Sequence, residues 1–335
     1  MKGKLPIYNC QNKIPESFEP EDEKFEACDN PILMCKKFIQ DRLPRFRSTE
    51  ERTRLYHVWP GKNVFFLSGR LVCGPDPKGF LLTSVSVFLS SWIFCVYIGN
   101  DFDKNSGLIV AFDMVLTIIV FVNLFMVSAI DPGIIPRNNE IPDVRNNELI
   151  RSKKVRIDGV EMKLKFCRVC KLFRPPRSCH CIVCDNCVDK FDHHCPWIGQ
   201  CIGLRNYRFY LMFVLSALVF FTYIFSLSCQ RINLKMSETR AGLFRTWGNS
   251  PETLALASFS FVAMVFLGGL ASFHTYLIML NQTAYENHRE CYITSPNPYD
   301  KGIFQNVKEV LFTRLPPSRV NFQAELTLEN CDPID

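Results

Sequence analysis

Four runs of about 20 apolar residues constrain this chain most, because that is the length a helix needs to cross a hydrocarbon core about 30 Å thick. They are Phe80 to Gly99, Leu108 to Ile130, Phe209 to Cys229 and Leu254 to Leu280. A core helix of a soluble protein rarely goes so long without charge, and four such runs in one chain point to lipid. The chain therefore reads as an α-helical integral membrane protein with four transmembrane helices. Three of the runs contain no Asp, Glu, Lys or Arg, whereas the second carries Asp113. An ionisable group there is costly, so Asp113 is expected to face the bundle interior or, near the start of its run, to sit at the interface.

The basic residues set the orientation. Of 39 Lys and Arg, 14 precede the first span and 14 fall in 131–206, against 1 in 100–107 and 4 in 230–253. By the positive-inside rule both termini and the long middle segment are cytosolic. The first 30 residues are polar and mostly acidic, so no cleavable signal peptide is expected and the first span serves as its own insertion signal. The net charge of +6 suits an anionic inner leaflet and calls for no nucleic-acid partner. The expected organisation is a cytosolic arm over 1–79, spans at 80–99 and 108–130, and a linker over 131–166 with a hairpin turn at Asp158-Gly159. A loop-rich cysteine domain over 167–206, spans at 209–229 and 254–280, and a cytosolic tail over 281–335 follow. Asp131-Pro132-Gly133 is a turn sequence that should end the second helix.

Eight of the 16 cysteines crowd between Cys167 and Cys201, on the side assigned to the reducing cytosol, where clustered Cys and His read as metal ligands. Cys pairs two residues apart recur, and such a turn brings both sulfurs to one tetrahedral zinc ion. With His180, His193 and His194 the stretch offers eleven candidate ligands, while two closed tetrahedral sites use about eight. Three groups are left over. If His193 and Cys195 are among them, with Asp192 alongside, they form an activated nucleophile: the carboxylate orients the imidazole, and the imidazole takes the thiol proton. Spacing alone does not say which three are spare.

The run from Cys167 to Phe209 resembles the cysteine-rich domain of the DHHC family of protein S-acyltransferases, or palmitoyltransferases. The matching residues are Cys167, Cys170, Arg174, Pro175, Arg177, His180, Cys181, Cys184, Cys187, Asp192, His193, His194, Cys195, Trp197, Cys201, Gly203, Asn206 and Phe209. The wording from Cys195-Pro196-Trp197 to Arg205-Asn206-Tyr207-Arg208 is most similar to the plant members. The resemblance implies one zinc held by Cys167, Cys170, His180 and Cys187, and a second by Cys181, Cys184, His194 and Cys201. It implies Cys195 as nucleophile, His193 as general base and acid, and Asp192 as the group that fixes the imidazole. The co-substrate would be a long-chain fatty acyl-CoA, and the partners would be membrane-proximal proteins presenting cytosolic cysteines. Trp197 is expected to cover the thioester end of the acyl chain or to pack as an ordinary interfacial Trp. Cys179 is expected to be an inert surface residue.

Other elements carry weaker expectations. Asp131-Pro132-Gly133 and Asn306 match family motifs that should support the catalytic domain. After the fourth span the family pattern Thr-Thr-x-Glu appears as Thr283-Ala284-Tyr285-Glu286, and the missing hydroxyl, if it bonds the catalytic segment, costs about 1 kcal/mol. Arg168, Lys171, Arg174 and Arg177 are candidates for the phosphates of coenzyme A. A membrane zinc adaptor without catalysis explains the ligands and spans, but gives no reason for Asp192, His193 and Cys195 to lie together. A RING-type ubiquitin ligase would close its cross-brace with another C-x2-C pair, and after Cys187 only isolated Cys195 and Cys201 remain, while four spans with a single charged residue offer a transporter little polar pathway.

Overall fold

Asp76 and Pro77 start the first long helix, α1 (Pro77–Ile98): the Asp76 carboxylate accepts the Lys78 amide at 3.1 Å, and Pro77 sits where no amide donor is needed. The chain, described here from a computed structural model, is defined over 53–99, 106–138, 144–145, 148–149, 152–157, 160–240, 248–293 and 295–326. Three further long helices follow, α2 (Ser106–Ala129), α3 (Tyr207–Thr239) and α4 (Pro251–Met279). All four are long and apolar enough to cross a membrane. The helix α3 packs against both α2 and α4. Val120, Leu124, Val127, Val214, Phe220 and Ile224 fill the seam.

The outer surface of the bundle is what water would not tolerate. Leu81, Phe88 and Trp92 on α1, Ile118, Val122 and Phe125 on α2, and Val262, Val265 and Phe266 on α4 are all exposed. So large an apolar belt belongs against lipid. Asp113 lies inside, fully buried, and its carboxylate accepts the Ser91 hydroxyl at 2.5 Å, which ties α2 to α1. The interior rather than the interface is therefore its place.

The helices outrun the apolar segments. Beyond Cys229, α3 continues to Thr239, carrying Arg231, which is buried against Glu252 at 3.2 Å and against Thr253. Apolarity marks the slab a helix crosses, whereas backbone hydrogen bonding marks where the helix ends.

Most of the other described residues gather at one end of the bundle, where α1 and α3 begin and α2 and α4 finish. The Asp131 carboxylate accepts the Gly133 and Ile134 amides at 3.0 and 2.9 Å, and its other oxygen accepts from Arg205 at 2.9 Å and Ser318 at 2.5 Å. One side chain thus joins the exit of α2, the entry of α3 and the tail. Gly133 holds φ +108°, a conformation that glycine reaches without strain. Asn206 donates to the Val127 and Cys201 carbonyls at 3.2 and 2.9 Å. In the tail, Asn306 is fully buried and donates to the Met279 carbonyl at 2.8 Å, satisfying the open end of α4.

The strand pair β1 (Ser152–Ile157) and β2 (Val160–Cys167) is antiparallel with Ile157 opposite Val160, and the expected turn residues 158–159 lie outside the described residues. β2 also pairs with β3 (Leu172–Phe173). Two small hairpins follow: β4 (Cys179–Cys181) with β5 (Asn186–Val188), and β6 (His193–Cys195) with β7 (Gln200–Ile202).

Candidate active site and metal centres

The two hairpins interleave two ligand sets. In the first, His180 lies opposite Cys187 across β4 and β5, and Cys167 and Cys170 arrive from the end of β2. In the second, His194 lies opposite Cys201 across β6 and β7, with Cys181 and Cys184 from the preceding knuckle. Within each quartet all ligand atoms lie within 4.8 Å of one another.

The separations can be tested against an ion. Zinc bound tetrahedrally at about 2.3 Å to sulfur and about 2.0 Å to nitrogen sets S···N near about 3.5 Å and S···S near about 3.8 Å. His180 Nδ1 stands 3.4 Å from Cys170 Sγ and 3.8 Å from Cys187 Sγ. His194 Nδ1 stands 3.4 Å from Cys184 Sγ, 3.8 Å from Cys181 Sγ and 3.7 Å from Cys201 Sγ, and Cys201 and Cys184 are 3.4 Å apart. Three thiols and one imidazole at these distances fit a closed zinc site twice over. The outer nitrogen of His180 faces the Asp185 carboxylate at 3.4 Å, an orienting partner of the kind metal-binding imidazoles use.

Strand β6 separates two adjacent histidines. Successive residues of a strand point to opposite faces, so His194 turns to its quartet while His193 and Cys195 share the other face. There His193 Nδ1 meets the Asp192 carboxylate at 2.7 Å, and the Cys195 sulfur lies close enough to the same imidazole to favour its protonated form. Asp192 is buried, and its second oxygen accepts the Ala284 amide at 2.8 Å. Burial opposes protonation of His193, but the Asp192 carboxylate and the Cys195 sulfur outweigh it and raise its pKa to about 9. Carboxylate, imidazole and thiol in a row can move a proton off sulfur and return it. Cys195 is itself buried, packed with Ile198, Ile202, Tyr210 and Leu211 at the mouth of the helix bundle. The segment after it is clamped by α1: Thr83 donates to the Trp197 carbonyl at 2.9 Å, while the indole of Trp197 is half exposed.

A family model described as DHHC palmitoyltransferase matches residues 160–290. The chain is 40% identical over 295 residues to Probable protein S-acyltransferase 7 of Arabidopsis thaliana, covering 82% of this chain and 67% of that one. The chain belongs to the DHHC palmitoyltransferase family. Identity is 40% over 294 residues to Probable protein S-acyltransferase 6 of the same plant, covering 83% and 72%. It is 41% over 295 residues to Protein S-acyltransferase 8, covering 81% and 72%.

The family pattern departs at Ala284, and the geometry explains how this chain accommodates it. Thr283 caps the short helix α5 (Ala284–His288), accepting the Glu286 amide at 3.1 Å while Glu286 accepts the Thr283 amide at 2.9 Å. This capping box holds two amides reciprocally. It also aims Glu286 at Arg177, which it meets through two bonds of 2.8 and 2.7 Å. Arg177 further donates to the Asn281 side chain and carbonyl at 2.9 and 2.8 Å and lies 4.5 Å from the Tyr299 ring centre. The link from this motif to Asp192 is made by a backbone amide, which alanine supplies as well as threonine.

Two sequence expectations need correction. Arg177 is taken up by this buried clamp, so its forked donors are spent on Glu286 and Asn281 rather than left for a phosphate. Cys179 is buried rather than on the surface: its place on β4 turns it inward against Tyr285, with Arg174 at 3.8 Å. One neighbourhood went unforeseen. Tyr210 and His274 stand beside the His193 imidazole, and Tyr207 packs behind them against both. The available signal was His274, the one histidine within the four apolar runs.

Proposed function

We propose that this membrane enzyme transfers a long-chain fatty acyl group from acyl-CoA to cysteines of protein substrates through a thioester on Cys195. The observation that carries the reading is the Asp192–His193–Cys195 row standing outside both metal quartets, at the mouth of an apolar bundle. His193 takes the proton of Cys195, and the thiolate attacks the acyl-CoA carbonyl. The sulfur–carbon bond to coenzyme A breaks, and its departing thiolate receives the proton from the imidazolium. A substrate cysteine, deprotonated in its turn by His193, then attacks the acyl-Cys195 carbonyl and regenerates the enzyme thiol. Asp192 keeps the His193 tautomer fixed and supports the imidazolium.

The two quartets, Cys167, Cys170, His180, Cys187 and Cys181, Cys184, His194, Cys201, would each hold a structural zinc ion. As closed sites they would supply folding energy and no reaction step. An acyl chain gains about 0.8 kcal/mol per methylene on leaving water, which the helix bundle beneath Cys195 can provide. Trp197, half exposed just past the nucleophile, would flank the thioester end of the chain. Lys163, Arg174 and Arg289 gather around Lys165, and burial together with these cations pulls the Lys165 pKa down to about 8. A concentration of positive charge of this kind would attract the phosphates of coenzyme A.

Purified enzyme given palmitoyl-CoA is expected to release one coenzyme A per active site in a burst and to turn over only when a cysteine peptide is added. Release that requires the peptide from the first turnover would contradict a covalent intermediate.

Ala284 offers a clean test of the Asp192 contact. It occupies the first helical position, where proline is tolerated, and Thr283 is extended (φ −89°, ψ 158°), as the residue before proline prefers. Ala284→Pro should keep zinc and lower the enzyme acylation rate about tenfold or more, since a hydrogen bond to a charged acceptor is worth about 1.5–3 kcal/mol. Ala284→Thr should leave the rate unchanged or raise it. A severe loss with threonine would mean that packing has adapted around alanine.

Both termini, with the cysteine-rich layer, are assigned to the cytosol. The acceptor sequence Asn281-Gln282-Thr283 is then expected to carry no glycan, and the burial of Asn281 independently disfavours one. An acceptor appended after Asp335 should stay unmodified, while one inserted with a spacer between α3 and α4 should be glycosylated. Modification of the tail acceptor would reverse the orientation and remove the reaction from cytosolic acyl-CoA.

A further inference from the structure

His274 is buried in α4, and both of its ring nitrogens are taken by tyrosine hydroxyls of α3. Tyr207 Oη lies 3.0 Å from Nδ1 and Tyr210 Oη lies 3.1 Å from Nε2. His274 and Tyr210 are each 2% exposed. A neutral imidazole donates from one nitrogen and accepts at the other, so one hydroxyl accepts from it, the other donates to it, and the two together fix its plane. The Tyr210 ring then stands nearly perpendicular to the His193 imidazole, 73° between planes and 5.2 Å between centres, and the His274 ring lies 6.1 Å from His193. Tyr210 and His274 are themselves in edge contact at 4.9 Å.

The proton-transfer row has no chemical need of an imidazole in a membrane-spanning helix. Burying polar groups there costs free energy that a phenylalanine and leucine cluster would avoid, even when hydrogen bonds offset much of it. What the row does need is a restrained His193. The outer torsion of a histidine side chain is soft, and the single Asp192 bond at Nδ1 leaves the ring free to swing about that contact. Tyr210 closes the swing from the bundle side, and His274 holds Tyr210 by its hydroxyl.

We propose that His274 is a positioning residue for acyl transfer: through Tyr210 it fixes the ring plane of His193, so that Nδ1 stays on Asp192 while Nε2 faces Cys195. The role rests on the proposed reading of Asp192, His193 and Cys195. Misplacement of a reacting group by about 1 Å can cost about a hundredfold in rate. His274→Ala should therefore slow enzyme acylation about 10- to 100-fold with KM for palmitoyl-CoA unchanged. His274→Gln, whose amide nitrogen and oxygen can still reach a tyrosine hydroxyl, should recover much of the rate.

The decisive measurement avoids acyl-CoA, so it stands even if the proposed reaction fails. Cys195 alkylation by iodoacetamide is followed by peptide mass spectrometry in the full-length, zinc-loaded protein. His274→Ala should slow alkylation in the wild-type background and have no effect on top of His193→Ala, because it acts only through that imidazole. Equal slowing in both backgrounds would mean that His274 merely packs α3 against α4, and no slowing in either would equally overturn the role. Should His274→Ala lose zinc, Tyr210→Phe carries the same comparison, since it keeps the ring and removes only the hydroxyl held by His274.

Discussion

Cys167→Ser and Cys184→Ser should each lose zinc and unfold the cysteine-rich layer, whereas Cys195→Ser should keep two zinc ions per chain. The effect is large because apparent binding free energies of structural zinc are about 10–16 kcal/mol and are spent on folding. Damage should spread between the sites. His180 and Cys181 are neighbours on β4 yet belong to different quartets, so freeing one ion loosens the strand that serves the other. Chromogenic zinc release, read beside thermal unfolding, measures this. Equal zinc loss in all three variants would make Cys195 a ligand and dissolve the division between structure and chemistry.

His193→Ala is expected to cut enzyme acylation about 10²–10⁴-fold while the zinc content stays at that of the wild type, the usual range for loss of a general base. Asp192→Ala should lose activity as well and should also cost stability. It removes the acceptor of both the His193 ring and the Ala284 amide, and a buried amide left unpaired costs about 1–3 kcal/mol. Single-turnover release of coenzyme A separates the two variants from zinc loss. A rate within twofold of wild type for His193→Ala would leave Cys195 without a base.

The spans were legible because hydrocarbon demands apolar side chains at every outward position, a condition that writes itself as an unbroken run. Their ends were less so. Arg231 and Glu252 interrupt apolarity, yet they pair across α3 and α4 and let the helices continue. The ligand count was readable from composition, but the division into quartets was not, because interleaved hairpins bring together residues that are far apart in sequence. The split implied by family resemblance is the grouping that the structure brings within 4.8 Å.

Side-chain motifs mislead where the backbone does the work. At Ala284 the hydroxyl of the family pattern is missing, and the contact with Asp192 that the structure shows is made by the backbone amide, which every residue except proline carries. Arg177 looked like a phosphate ligand because its partner Glu286 lies 109 positions away. Cys179 looked superficial because nothing in its spacing shows that β4 turns it toward Tyr285. His274 was visible as an oddity in an apolar run, but its partners Tyr207 and Tyr210 sit on another helix.

The central claim is a thioester on Cys195, and peptide mass spectrometry tests it most directly. Purified protein incubated with palmitoyl-CoA should carry one palmitoyl adduct on Cys195, removed by neutral hydroxylamine and absent from Cys195→Ser. Undiminished labelling of Cys195→Ser, or an adduct on a different cysteine with Cys195 unmodified, would contradict it.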